Sequence, residues 1–342
     1  MNPREDQRVV AVTGGGGGIG AAIAEELGRQ GAFVVTMDPL VSLDGSEQLP
    51  APEETTAGRI VAAGGSARAT SVSVTDGDAI RALFEELDRL DAVVNVAGIT
   101  RPTSFARGSE DDWRAVLTVH LEGYLNILRA ALPVMAAAGH GRILGVTSGS
   151  GWRAADAGAY SCAKRAVASL TWQLGRQAPP GVVVNAMSPI AVTRMVTAAL
   201  ERAKGKAGSA TGGLSLGSMP APEELGPFGT YLVGEELDWC NGQVLFAGGP
   251  EVAVIDEPRL LEVVRTDGVT SVPHVLDAVA DALAAAEAQQ SSSGAGNPRF
   301  GPLFTEASGL LPAAAVQTCA VVADSPETRK AVTAALEGRG VA

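Results

Sequence analysis

Apolar and polar positions fall into alternating blocks from the start of the chain. Val9-Val10-Ala11-Val12 is a short, wholly apolar run closed by glycines, as expected of a strand buried on both faces of a parallel sheet. From Gly20 to Gln30 the pattern changes to helical spacing, with apolar residues at 23, 24 and 27 and a stop at Gly31. Further strands are predicted at Ala32–Met37, Arg68–Val74, Ala92–Val96, Ile143–Thr147, Val182–Ala186 and Gln243–Phe246. Between them the spacing predicts helices over 76–90, with Asp76 as N-cap, from about Glu110 to Ala138, over about 158–177, and over Glu223–Leu232. Residues 41–57 are polar and Pro-rich and read as a long loop. Seven strands alternating with helices predict an α/β fold: a doubly wound, parallel, seven-stranded sheet flanked by helices.

The alternation changes after Gly249. Residues 251–288 form a C-terminal extension with a strand-like run at Val252–Ile255 and an Ala-rich helix over about 273–288. Residues 289–302, which include QQSSSGAGNP, read as a linker. Residues 303–342 read as a tail or a small βα unit: Ala320–Ala323 resembles a strand, and Ser325-Pro326-Glu327 an N-cap with Pro at the first helical position. Residues 1–250 are expected to hold any cofactor and the chemistry together.

Composition narrows the classes of function. Hydrophobic residues at 46% and charged residues at 19% describe a globular chain. The formal net charge of -12, with no basic cluster, speaks against nucleic acid and anionic membrane surfaces as partners. No apolar run reaches the roughly 18 residues of a membrane span, and the opening MNPREDQR has no apolar core for a secretory signal. Cys162, Cys240 and Cys319 lie far apart without a CxxC pair, which predicts no disulfide framework, no thiolate zinc site and a cytoplasmic location. His140 and His274 suggest no metal either.

Two segments carry candidate chemistry. Thr13–Gly20 reads TGGGGGIG between a strand and a helix. In that position Gly14 allows a tight turn, Gly18 lets backbone approach a phosphate, and Gly20 lets the helix pack on the strand, while the N–H groups of the helix N-terminus face the anion. A flexible Gly connector is the competing reading. Asp38 ends the second strand, where a carboxylate accepts ribose hydroxyls and repels a 2′-phosphate; Gly15–Gly17 and the residues just after Asp38 offer no cation for such a phosphate. This points to NAD(H), against the alternative of a solvated loop Asp. Tyr160 and Lys164 share a helix face four residues apart. A nearby ammonium lowers the pKa of a phenol and makes it a usable acid/base near neutrality. Ser148, just past the fifth strand, is placed to hold a substrate oxygen.

Gly14–Gly20, Asn95-Val96-Ala97-Gly98, Ser148 and the YSCAK of 160–164 together resemble the short-chain dehydrogenase/reductase family over about residues 8–250. The resemblance implies a Rossmann-like domain and a small-molecule alcohol or ketone substrate. It also implies Tyr160 as general acid/base, with Lys164 lowering its pKa and binding the nicotinamide ribose and Ser148 orienting the substrate. Ile19 belongs to the same glycine motif. Asn95, Ala97 and Gly98 would line the ribose pockets, Val74 the adenine, and Pro189 to Thr193 the carboxamide, although Ile190 stands where the family has Gly. Ser73 replaces the usual Asp before the adenine-side apolar residue. His120, in Val119-His120-Leu121, takes the place of the family's active-site Asn. It either replaces that residue's role in a proton relay, abolishes it, or is a helix His satisfied by a backbone carbonyl.

Finer features are similar to the 3-hydroxyacyl-CoA dehydrogenase part of peroxisomal type 2 multifunctional enzymes and their bacterial relatives. These are the stretch after the second strand, SFARGSEDDW, VHLEG, the shortened Pro189–Thr193 loop, and Pro258-Arg259-Leu260 with Val264-Arg265. That likeness implies a 3-hydroxyacyl thioester or a bulky hydroxysteroid-like alcohol as substrate. The Gly/Ser/Ala-rich 201–222 falls where the family carries a substrate lid, or is only a loop. Trp152, Met195, Met219 and Phe228 either line an apolar pocket or belong to the core. The family implies a homodimer or homotetramer through the helices at about 110–138 and 158–177. A non-catalytic NAD(H)-binding regulatory or scaffold subunit is the alternative.

Overall fold

Alternating side chains along the central strands set the architecture. In β1 (Val9–Thr13), Val9 and Ala11 face one helical layer while Val10 and Val12 face the other, and every residue is buried. Full burial of each such aliphatic side chain contributes about 1.5–3 kcal/mol. The computed structural model describes residues 3–4, 6–152, 157–197, 219–258 and 325–337. The chain divides into two units, Met1–Gly296 and Asn297–Ala342.

The first unit runs β1, α1 (Gly18–Arg29), β2 (Phe33–Met37), α2 (Thr56–Ala62), β3 (Ser66–Thr70), α3 (Gly77–Glu86) and β4 (Ala92–Asn95). It continues through α4 (Glu110–Leu117), one π-helical turn (Thr118–Glu122), α5 (Gly123–Ala138), β5 (Gly141–Val146) and α6 (Gly149–Trp152). Then come α7 (Ala159–Gln177), β6 (Val182–Pro189), a 3-10 turn (Pro222–Leu225), α8 (Gly226–Tyr231), β7 (Val244–Gly248) and β8 (Glu251–Ile255). In the second unit the described residues form α9 (Pro326–Glu337).

The strand order is β3-β2-β1-β4-β5-β6-β7-β8. Strands β1 to β7 pair in parallel, and the order reverses between β1 and β4, where open α/β sheets place ligands at the carboxyl ends of their strands. The sheet has eight strands where the sequence predicts seven. Gly249 (φ 61°) and Pro250 fold the chain straight back, so the strand-like run of the extension joins β7 antiparallel, with Leu245 opposite Val254.

Other boundaries move for local reasons. The helix expected from Glu110 to Ala138 is broken by the π turn, which carries His120. Strand β3 stops at Thr70 instead of reaching Val74, and it is an edge strand with mostly part-exposed positions. The expected loop 41–57 closes with a Val41–Gln48 bridge, after which Thr55 caps α2. The helix over 273–288, the linker, the strand at 320–323, His274 and Cys319 lie outside the described residues, as does most of 201–222.

Candidate active site

The glycine turn is built by close backbone approach. Gly14 has φ 63°, and a Cβ there would stand 2.9 Å from the Ala97 nitrogen; one on Gly20 would stand 2.2 Å from the Gly14 carbonyl oxygen. Larger residues would push α1 off β1 or β4 off the turn. Thr13 locks the same junction: its Oγ1 accepts from the Val96 and Ala97 N–H groups at 3.1 Å each and donates to Asn95 Oδ1 at 2.9 Å. The Asn95 side chain, placed by sequence in a ribose pocket, is thus buried in the joint between β1 and β4. Gly17 is the N-cap of α1 and Ile19 packs into the core from its first turn. That turn holds no acidic residue, and no side chain caps it among the described residues. Its N–H groups therefore remain available to an anion.

Asp38 leans onto this turn. Its Oδ2 accepts from the Gly16 N–H at 3.0 Å and its Oδ1 from the Leu40 N–H at 2.8 Å. Val74 is buried, and its carbonyl accepts from Asn126 Nδ2 at 3.0 Å. Across the cleft, Pro189 ends β6 and the Thr193 Cγ2 lies 3.7 Å from where a Gly18 Cβ would stand. The shortened loop thus covers the glycine turn. These fits of backbone, carboxylate and open amides suit a dinucleotide.

Ser148, Tyr160, Lys164 and His120 converge at the carboxyl end of β5. Gly158 starts α7 in a conformation only glycine tolerates (φ 49°), and a Cβ there would fall 1.6 Å from the Thr103 carbonyl oxygen. Thr103 Oγ1 also donates to the Ala157 carbonyl at 2.7 Å, so the loop after β4 fixes the start of the helix that carries Tyr160. Ser148 stands near enough to the Tyr160 hydroxyl to hold its pKa down, and Ser148 Oγ accepts from the Ser150 N–H at 3.2 Å. Lys164 is buried; its Nζ donates to the Val146 carbonyl at 2.7 Å and lies 5.7 Å from the Tyr160 ring centroid.

Burial governs the titrations here. It pulls Lys164 down to about 7, while the Val146 carbonyl acts the other way by favouring the ammonium. Burial pushes Tyr160 above its usual value and the Ser148 hydroxyl acts against it. Tyr160 thus stands above its ordinary value here, where the Tyr–Lys spacing predicts a lowered one.

His120 sits under Gly98, whose Cβ, if present, would be 2.3 Å from His120 Cε1. Its Nε2 is 3.1 Å from the Ile99 N–H nitrogen and 2.8 Å from the Ile99 carbonyl oxygen, so either tautomer is satisfied there. Its Nδ1 has no partner among the described residues, and the ring meets Tyr160 edge-on at 5.1 Å. Burial, then repulsion from Lys164, lowers its pKa to about 3 against a weaker opposing bond from Ile99. His120 is therefore neutral at working pH. Below the ordinary value of 6.5 the unfolded chain takes up a proton that the folded chain refuses. Stability then falls as pH drops towards 3, by up to about 1.4 kcal/mol per pH unit from this group. Denaturant unfolding of wild type and His120→Asn at pH 7 and pH 5 should show the wild type losing more on acidification; equal losses would contradict this.

Several residues near the site escape sequence reading. Thr13 opens the glycine run but carries no separate signal, and Thr103 and Arg194 act across long sequence separations. Of the residues that the sequence offers for a pocket or the core, Trp152 donates its Nε1–H to Ser188 Oγ at 2.9 Å, bridging α6 and β6 beside Ser148. Phe228 packs against the core.

The short chain dehydrogenase family model matches residues 8–204. The chain belongs to the short-chain dehydrogenase family. It is an oxidoreductase with the family's nicotinamide-binding Rossmann-like fold. The dehydrogenase is 31% identical over 253 residues to a peroxisomal hydratase-dehydrogenase-epimerase of Neurospora crassa, a match covering 73% of this chain and 27% of that protein. The chain thus matches only about a quarter of that larger relative. It is 31% identical over 246 residues to the acetoacetyl-CoA reductase of Allochromatium vinosum, covering 71% of this chain and 97% of that one. Among solved structures, an actinorhodin polyketide ketoreductase variant with NADPH is similar at 25% identity and TM-score 0.61, covering 73% of this chain and 98% of that one.

Proposed function

We propose that this dehydrogenase interconverts a secondary alcohol and a ketone using NAD(H), on a 3-hydroxyacyl thioester or a similarly bulky alcohol. The observation that carries the reading is the convergence of Ser148, Tyr160 and buried Lys164, whose Nζ lies 5.7 Å from the Tyr160 ring centroid one turn along the same helix. Bound at the glycine turn, the nicotinamide would donate or accept the hydride. Ser148 would hold the substrate oxygen, Tyr160 would pass it a proton or remove one, and Lys164 would bind the nicotinamide ribose and bias the phenol. The Allochromatium protein favours an acyl thioester by its name, acetoacetyl-CoA reductase. No observation favours a non-catalytic NAD(H)-binding subunit, since all three side chains converge. Cytosolic location is supported by the unpaired Cys162 and Cys240; among the described residues no helix is long and apolar enough to cross a membrane. A dimer or tetramer through α5 and α7 completes the reading, and light scattering showing only monomer would remove it.

The preference for NAD over NADP rests on Asp38, whose carboxylate stands against Gly16 where a 2′-phosphate would meet like charge. The related ketoreductase was crystallised with NADPH, so the preference is a property of this pocket. Assays of NADH and NADPH formation from 3-hydroxybutyryl-CoA and from hydroxysteroids should show activity with NAD and the thioester. Asp38→Ala should move the NAD/NADP ratio of kcat/KM by at least about tenfold towards NADP. An unchanged ratio would overturn the assignment of NAD.

A further inference from the structure

We infer that Arg194 grips the dinucleotide's pyrophosphate from above the glycine turn, a role that rests on the cofactor reading above. The sequence around the turn offers no cation: Gly15, Gly16 and Gly17 lack side chains, and Asp38 adds negative charge. A pyrophosphate would then meet only the partial positive charge of the α1 N-terminus. The structure supplies a cation from a distant segment. The chain leaving β6 crosses over the turn, and Arg194 Nη2 lies 3.8 Å from where a Gly17 Cβ would stand, next to Thr193 at Gly18. Arg194 is exposed and makes no ion pair or hydrogen bond with the described residues. Its guanidinium is thus free to offer its planar donor fork to phosphate oxygens.

The two charges are sorted along one turn. The acid holds the Gly16 N–H and so takes the ribose-hydroxyl end. The cation stands over Gly17 and Gly18, where the turn enters α1 and the open N–H groups begin. That placement assigns Arg194 to the pyrophosphate and not to a 2′-phosphate. The shortened Pro189–Thr193 loop brings it there: the Ile190 N–H bonds the Ala247 carbonyl and the Val192 N–H bonds the Pro220 carbonyl at 2.8 Å each, fixing the approach to Arg194.

Calorimetric titration of the full chain tests this, with NADH, NADPH, ADP-ribose and adenosine as ligands. ADP-ribose keeps the pyrophosphate but lacks both nicotinamide and 2′-phosphate; adenosine lacks all three. Arg194→Met should weaken ADP-ribose, NADH and NADPH alike by about tenfold, leave adenosine unchanged, and flatten the salt dependence of ADP-ribose binding. Arg194→Lys should fall between the two. The inference is overturned if Arg194→Met binds ADP-ribose as tightly as wild type, or if the loss is confined to NADPH. Wild type that binds no dinucleotide would overturn the cofactor reading along with it. Binding by wild type with no change in the variants would remove the role of Arg194 alone.

Discussion

Tyr160→Phe should lower kcat by about 10³-fold or more while NADH still binds, because only the hydroxyl that exchanges a proton with the substrate is removed. The remaining ring keeps its edge-on contact with His120 and its packing beside Ile99, Val116 and Ala159. Loss of one hydroxyl's hydrogen bonding costs about 1 kcal/mol of stability, too little to unfold the chain. Steady-state kinetics together with NADH fluorescence titration separate the two effects. A variant with wild-type turnover would refute the acid/base role, and one that also lost NADH binding would point to a cofactor-holding role for the hydroxyl instead.

Lys164→Met should produce opposite changes in activity and stability. Turnover should fall by about 10²-fold or more, since the ammonium that would bias the phenol and hold the ribose is gone. Stability should rise at neutral pH. Burial pulls Lys164 to about 7 from an ordinary 10.5, so across that window the unfolded chain carries a proton that the folded chain does not. Wild-type stability therefore climbs with pH between about 7 and 10.5, and lies lowest relative to a neutral side chain at pH 7 and below. Met keeps the apolar stem and removes the buried charge. Chemical denaturation at pH 7 should find Lys164→Met more stable by about 2 kcal/mol, with a smaller advantage at pH 9. Equal stability at pH 7 would mean that the Val146 carbonyl fully compensates the buried ammonium.

The central strands and the reacting side chains were legible in the sequence for the same reason: each announces itself locally. Strands β1, β2, β4 and β5 are buried on both faces and so read as short apolar runs. The edge strands read less fully, the third with its bounds shifted to Arg68–Val74 and the run at Val252–Ile255 as strand-like but without its place in the sheet. Ser66–Thr70 has a half-exposed face, and Glu251–Ile255 depends on a turn at Gly249 and Pro250 to reach β7. The π turn at Thr118–Glu122 was invisible because a single wide turn hardly disturbs helical periodicity. Helix α2 buries only Thr56, Ala57 and Ile60, too few positions to rise above its polar surroundings.

Within the candidate site, the spacing of Tyr160 and Lys164 and the position of Ser148 could be read from a few residues each. Contacts between distant segments could not. The Thr103–Gly158 approach spans the loop after β4 and the start of α7, and Arg194 reaches Gly17 only because β6 ends where it does. The upward push of burial on Tyr160 likewise depends on packing that spacing does not encode.

A crystal structure of the dehydrogenase with NADH is the most direct measurement of whether the phenol of Tyr160 and a dinucleotide on the glycine turn share one site. The expected result is a pyrophosphate on the N–H groups of Gly18 to Gly20, ribose hydroxyls on Asp38, and the nicotinamide ring beside the Tyr160 and Ser148 hydroxyls. A dinucleotide seated elsewhere, or a nicotinamide turned away from Tyr160, would contradict it.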